Sequence, residues 1–302
     1  MAELDAVYAN QYGANVYTMA QQRGSVLRPF VTVEEVNGEK RYFERVKPTA
    51  AVRVTSKYMD TPLIATEFDR RALLCIEHVW ADLLDWVDDL KTFIDPTASI
   101  VEAGAMALGR TMDDTIISSA FDGVSYEGKE GMTQVNFPEK QKVSVTFGGS
   151  ANAGLTIEKL RRAYSLFGKA DVDLSAPGNE LYIAVTQQQM DDLLEGVDVK
   201  NSLYSAMMDL YSGKTNKFMG FNFVHTERLN KAESGDGFVR TCAAWCKSGV
   251  ILGTSQEIKM TVNTRPDKNN IWQAEAKMRC GATRIEDEKV VQIFCQEPGD
   301  AE

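Results

Sequence analysis

Two histidines, five cysteines and several adjacent carboxylates are the residues of this chain whose types could do chemistry. His78 and His225 lie far apart, and neither stands in an HxxxH, HxH or His/Cys spacing that would bind zinc. A lone histidine beside an apolar run, as His78 is, reads as a packed, hydrogen-bonded side chain. Asp88-Asp89 and Asp113-Asp114 are pairs in sequence only: neighbours on a helix point in different directions, so both read as solvated faces. Gly148-Gly149 and Gly249-Val-Ile-Leu-Gly253 carry neither a Walker lysine nor a dinucleotide fingerprint. Cys242 and Cys246, four apart in a strand, read as packed thiols. No catalytic set, metal site or cofactor is expected.

What remains is recognition, and two stretches carry it. Phe30 to Val36 and Glu39 to Val46 are strand-like runs about Asn37-Gly38, the preferred two-residue hairpin turn because both positions must take positive φ. The hairpin register sets Glu35 opposite Lys40, Glu34 opposite Arg41, Val33 opposite Tyr42 and Thr32 opposite Phe43, all favourable cross-strand pairs. Both faces near the tip are polar, and a lone two-stranded ribbon is marginal in water, so it needs a partner surface. The second stretch is Thr264 to Asn270, a polar turn between two strands in which Arg265, Asp267 and Lys268 present both signs of charge.

The element expected to hold these in place is one long helix from Pro96 to Phe121, opened by Asp95-Pro96 and closed by Asp122-Gly123. Ile100, Val101, Gly104, Leu108, Thr111, Met112, Thr115, Ile116 and Ser119 form its packing stripe, with Glu102, Arg110, Asp113 and Ser118 pointing elsewhere. Ala103, Gly104, Ala105 and Ala107 let it approach another backbone closely.

Around it, residues 1–20 read as an arm carrying Tyr8, Tyr12 and Tyr17. Tyr58 to Leu90 reads as a strand through Trp80 followed by a short helical turn, and Gln141 to Phe147 alternates as a half-buried strand. Thr156 to Phe167 makes a helix, Asp173 to Asn179 a turn, Leu181 to Val185 a buried strand, and Thr186 caps a further helix. Asn201 to Tyr211 is helical and Phe218 to Val224 crosses as a strand. Five strands fill Arg240 to Cys295.

The composition, 44% apolar and 25% charged over 302 residues, is that of a globular protein of one or two domains. A formal charge of −10 argues against a general nucleic-acid surface. Five cysteines without a CxxC suggest reduced thiols in a cytosolic compartment. Neither a signal-peptide pattern nor an apolar run of membrane-spanning length is expected.

In this order the pieces resemble the major capsid proteins of tailed bacteriophages, the Hong Kong 97 fold. Asp95-Pro96-Thr97-Ala98-Ser99, Ala107 to Arg110 and Asp113 to Gly123 look like the family's spine helix. Leu181 to Leu194 and Phe218 to Val224 resemble its axial-domain strands and helix, and Ala243 to Val250, Cys280 to Ile285 and Val290 to Ile293 its closing strands. The resemblance implies an α+β fold with an arm (1–20), an extended loop (21–57), a peripheral domain (58–147) holding spine helix 96–121, an axial domain (148–253), a peripheral return (254–289) with loop 264–270, and an axial return with tail (290–302). It implies a non-enzymatic protein that self-assembles as pentamers and hexamers into an icosahedral shell around phage DNA, made in the host cytoplasm and resident in the virion. The partners implied are further copies of itself, a separate scaffolding protein, a portal, a decoration protein, and double-stranded DNA held without specific contacts, with no membrane. Expected inter-subunit contacts are Glu34, Glu35, Asn37, Gly38, Lys40, Arg41, Arg265, Asp267 and Lys268. An encapsulin-like compartment shares the fold, and a cytosolic enzyme with an unrecognised site is the reading from a different class.

Overall fold

The computed structural model describes residues 21–61, 63–84, 97–127, 133–148, 152–176, 178–196, 202–234 and 237–298. The arm, the Asp95-Pro96 helix start and Asp88-Asp89 lie outside these residues; the strand expected to end at Trp80 runs on to Leu84 where a helical turn was expected to begin, and the rest of that turn lies outside them. The strands, in chain order, are β1 (Thr32–Glu35), β2 (Lys40–Val46), β3 (Phe68–Leu74), β4 (Ile76–Leu84), β5 (Ser125–Glu127), β6 (Thr133–Val135), β7 (Lys142–Val143), β8 (Leu181–Val185), β9 (Lys217–Phe218), β10 (Phe221–His225), β11 (Lys231–Ser234), β12 (Gly237–Cys246), β13 (Val250–Arg265), β14 (Ile271–Arg284) and β15 (Val290–Pro298). The helices are α1 (Thr97–Ile116), α2 (Ile157–Lys169), α3 (Gln187–Glu195) and α4 (Ser202–Tyr211). Two compact units result, one of residues 1–25, 77–111 and 256–278, the other of 26–76, 112–255 and 279–302.

In the smaller unit β4 lies beside β14, which lies beside β13. Of the small residues expected to admit another backbone, Gly104 meets a side chain instead, a Cβ there standing 2.5 Å from the Trp80 ring, and the backbone approach is at Gly109, where a Cβ would stand 2.5 Å from the Gly24 Cα. Only glycine permits either approach. His78 departs from expectation, for its Nε2 is buried and finds no hydrogen-bond partner among the described residues.

The larger unit is built on a sheet in the order β7-β15-β12-β8-β10-β9, with β11 beside β12. All five residues of β8 are buried, which is why this run is apolar without alternation. The fully buried Trp245 of β12 packs on Phe121 at 4.6 Å and on Tyr182 at 5.9 Å, and its indole N–H donates to Phe30 O at 2.9 Å. Phe121 closes a π-helical turn, Ile117–Phe121, that ends the long helix at Asp122, where the sequence placed its stop. Thr156 accepts the amide of Lys159 at 3.3 Å to cap α2, and Thr186 with Gln189 forms a capping box on α3. Lys159 is fully buried, its ammonium held by the carbonyls of Ala153, Gly154 and Phe294 at 2.6–2.9 Å. Burial lowers its pKa.

Four expectations are corrected. The hairpin about Asn37-Gly38 does not form: β1 runs parallel to the start of β13, Thr32 to Glu35 matching Ile251 to Thr254, while β2 pairs antiparallel with β3. Gly38 alone of the turn pair takes positive φ, at 111°. Burial decides the matter, because Val36 joins Leu73, Cys75 and Ile251 in an apolar cluster that an isolated ribbon would leave wet. Second, Phe218 to Val224 is itself a hairpin, β9 turning back into β10 at Met219 (φ 49°) and Gly220 (φ 88°). Third, the strand expected over Gln141 to Phe147 shrinks to two residues beside β15 and gives way to a turn. Fourth, Asp113 is not solvated: it is fully buried, and its carboxylate accepts the backbone N–H groups of Val26 at 2.9 Å and Leu27 at 3.1 Å. Asp114 pairs with Arg228, whose Nε lies 2.6 Å away.

Candidate inter-subunit surfaces

The antiparallel pair β2/β3 makes the prominent loop of the larger unit, from Lys40 opposite Leu74 to Val46 opposite Phe68. Charge pairs rung its length: Glu44 with Arg70 at 2.8 Å, Arg45 with Asp69, and Lys47 with Glu67 at 2.8 Å. The hydrogen bond between the last two raises the pKa of Lys47 and lowers that of Glu67. Beyond them the chain runs exposed. Val52, Val54, Tyr58, Leu63 and Phe68 all face solvent, Tyr58 at 89% and Leu63 at 98%.

The root of the loop is locked by three arginines and three carboxylates. Arg45 meets Asp69 and Glu127, the fully buried Arg71 meets Glu127 at 2.7 Å and Asp287 at 3.1 Å, and the fully buried Arg284 meets Asp287 at 2.6 Å. Arg284 also donates to the carbonyls of Gly123 and Val135. Burial lowers its pKa, against the pull of Asp287. A buried guanidinium is tolerable only with partners of this kind. A cleft of about 980 Å³ opens over the cluster, lined by the loop root, residues 170–173 and residues 285–289.

The contact residues expected from sequence fall at two places. Glu34, Glu35, Asn37, Gly38, Lys40 and Arg41 mark the passage between β1 and β2 and not the tip of a loop. Arg41 reaches Glu34 at 3.1 Å and donates to the carbonyl of Glu35, so the attraction inferred for this pair exists across a bend instead of a ladder. Gly38 O accepts from Ser255 Oγ at 3.3 Å.

At the turn between β13 and β14, Pro266–Lys268 forms a 3-10 turn and Asn269 and Asn270 take φ of 54° and 58° to reverse the chain. Arg265 Nε donates to Asp267 Oδ1 at 3.0 Å and Nη1 to Gln273 at 3.3 Å. That pairing raises the pKa of Arg265 and lowers that of Asp267. Two of the three charges expected to pair with other copies thus already pair within the turn. Lys268 is exposed and has no ion pair among the described residues.

The residue types that could do chemistry are dispersed. All five cysteines are buried free thiols, as read for Cys242 and Cys246. His225 lies 3.2 Å from Glu227 on the surface. Among the described residues no three His, Cys, Asp or Glu side chains gather as a metal set, and no helix is long and apolar enough to cross a membrane. Sequence reading missed the Arg45–Arg71–Arg284 cluster. Its only local trace is Arg70-Arg71 inside a strand pattern, which does not say which arginine turns inward.

Comparison with known proteins agrees with this architecture. The family described as phage capsid protein matches residues 4–297. Among solved structures the chain is similar to the capsid of Ralstonia phage GP4 (TM-score 0.73, 9% identity, 100% of this chain and 99% of that one). It is similar also to a structure from Mycobacterium phage Che8 (0.70, 14%, 96% and 97%) and to the capsid asymmetric unit of cyanophage Pam1 (0.70, 14%, 99% and 100%). At these identities the likeness is one of fold, the Hong Kong 97 type. No curated protein matches the sequence.

Proposed function

This chain belongs to the phage capsid protein family, and we propose that its copies assemble as pentamers and hexamers into a closed icosahedral shell around packaged double-stranded DNA. It is a structural protein of the virion capsid. The family match over residues 4–297 carries the reading. The exposed loop between β2 and β3 supports it, since ordering such a segment costs about 1–2 kcal/mol per residue in backbone entropy and an isolated subunit gives nothing in return. Symmetric assembly supplies the missing surface.

In this reading the extended loop is the β2/β3 excursion, residues 40–74, instead of 21–57. α1 is the spine of a peripheral domain that the long strands β13 and β14 join, and β8, β10, β12 and β15 form the axial domain. The turn at Arg265, Asp267 and Lys268 meets its equivalents at three-fold positions, with Lys268 the charge left for a neighbour. Glu34, Glu35, Asn37, Gly38, Lys40 and Arg41 act at one remove, by setting the angle at which the loop leaves the body. The net charge of −10 favours DNA confined without specific contacts. A scaffolding protein and a portal would act in assembly in the host cytoplasm, and a decoration protein on the finished shell.

The test is electron microscopy of the protein expressed with its phage's scaffolding protein. Closed isometric particles are expected. A compact species near 33.5 kDa at every concentration, scaffold present, would overturn the reading.

A further inference from the structure

Resting on the shell reading above, we propose that the cleft at the root of the β2/β3 loop receives the outgoing limb of the same loop from a second copy, with Arg53 and Lys57 of one copy meeting Asp171, Asp173 and Glu288 of the other.

The cleft is acidic, and most of its acidity is already spoken for. Asp69, Glu127 and Asp287 are bound by Arg45, Arg71 and Arg284, Glu44 by Arg70, and Glu286 by Lys289 at 2.7 Å. Asp171, Asp173 and Glu288 also line it, are exposed, and have no ion pair among the described residues. They are the part of the wall that lacks a counter-charge.

The limb has the complementary make-up. From Pro48 to Met59 it carries Arg53 and Lys57 and no acid. Its hydrogen bonds among the described residues stay within Thr55–Met59, and Val52, Val54 and Tyr58 stand 52%, 66% and 89% exposed. The segment leaves its own cleft at Pro48, and the nine residues on to Lys57 span up to roughly 30 Å when extended, ample to reach an adjoining copy. Each copy carries both ligand and receptor, on different parts of its surface. That is the requirement for a head-to-tail contact that closes into a ring. Opposite charges at its rim set partner and register more than affinity.

Charge exchange tests this. Asp171→Lys with Asp173→Lys, and separately Arg53→Glu with Lys57→Glu, should each cut the yield of closed particles at least tenfold by sedimentation, with unchanged melting of the unassembled chain. All four changes together should restore particles. Wild-type particles alongside unaffected double variants, or a quadruple variant no better than either double, would overturn the proposal alone. A wild-type chain that forms no particles with scaffold would overturn the shell reading and this proposal together.

Discussion

The side-chain amide of Gln292 reaches the carboxylate of Asp122 at 3.1 Å and the carbonyl of Phe121 at 3.0 Å, fastening the end of the long helix to β15. Asn230 donates to the other oxygen of Asp122, and Arg284 is the charged group that faces it. Burial among neutral amides raises the pKa of Asp122 from 3.8 to about 6.

Stability therefore depends on pH in a particular sense. Between about pH 4 and pH 6 the folded chain keeps a proton that the unfolded chain has released, so this residue's contribution falls as pH rises through that window. The penalty at neutral pH is at most about 3 kcal/mol. Asp122→Asn should raise the melting temperature of the unassembled chain at pH 7.5 and do little at pH 4. Calorimetry at both values checks it; an equal shift at both would show that the charge is not the cause.

Asp113→Ala should be among the more damaging single changes on α1. It strands the amides of Val26 and Leu27 in a fully buried place, a loss of about 2–4 kcal/mol. Asp113→Asn keeps one good acceptor and should cost about half as much. Urea unfolding should show both as lower midpoints with an unchanged slope.

Gly281→Ala tests close approach of backbones. A Cβ there would stand 1.8 Å from the carbonyl oxygen of Leu74, which cannot swing aside as a side chain could. A loss of about 2–4 kcal/mol, or insoluble expression, is expected. Gly168→Ala, where nothing stands within 4 Å, is the control and should be neutral or slightly stabilising.

For the β13–β14 turn the expectation is a split between folding and assembly. Asp267→Lys breaks an exposed pair with Arg265, so the melting of the unassembled chain should not move. On the proposed assembly the yield of particles should fall, because a turn of one sign would then gather at each three-fold. Unchanged yield by sedimentation would leave the turn a solvated reversal.

What the sequence made legible was local. Thr156 and Thr186 announce their helices, Asp122-Gly123 ends α1, and Leu181 to Val185 reads as a buried strand because all the information lies within a few residues. The β1 pairing was not legible. Its partner is β13, far along the chain, and the charges of Glu34 and Arg41 attract equally well across a bend as across a ladder. The Met219-Gly220 reversal hid because methionine seldom takes positive φ. Asp113 reads as a surface residue because charge is normally solvated, and nothing local singles out Arg71; the burial of both becomes visible only when the Val26 amide and Asp287 arrive from distant segments. The β13–β14 turn is legible as a turn, but its internal Arg265–Asp267 pairing is a matter of side-chain geometry that spacing does not reveal.

The strand β15 lies inside its sheet, paired to β12 on one side and β7 on the other. It is also the last of these strands to leave the ribosome. Until it emerges, β12 has an unfilled edge and Asp122 has no Gln292 to meet, so the end of the long helix and this sheet are completed together, by one late strand.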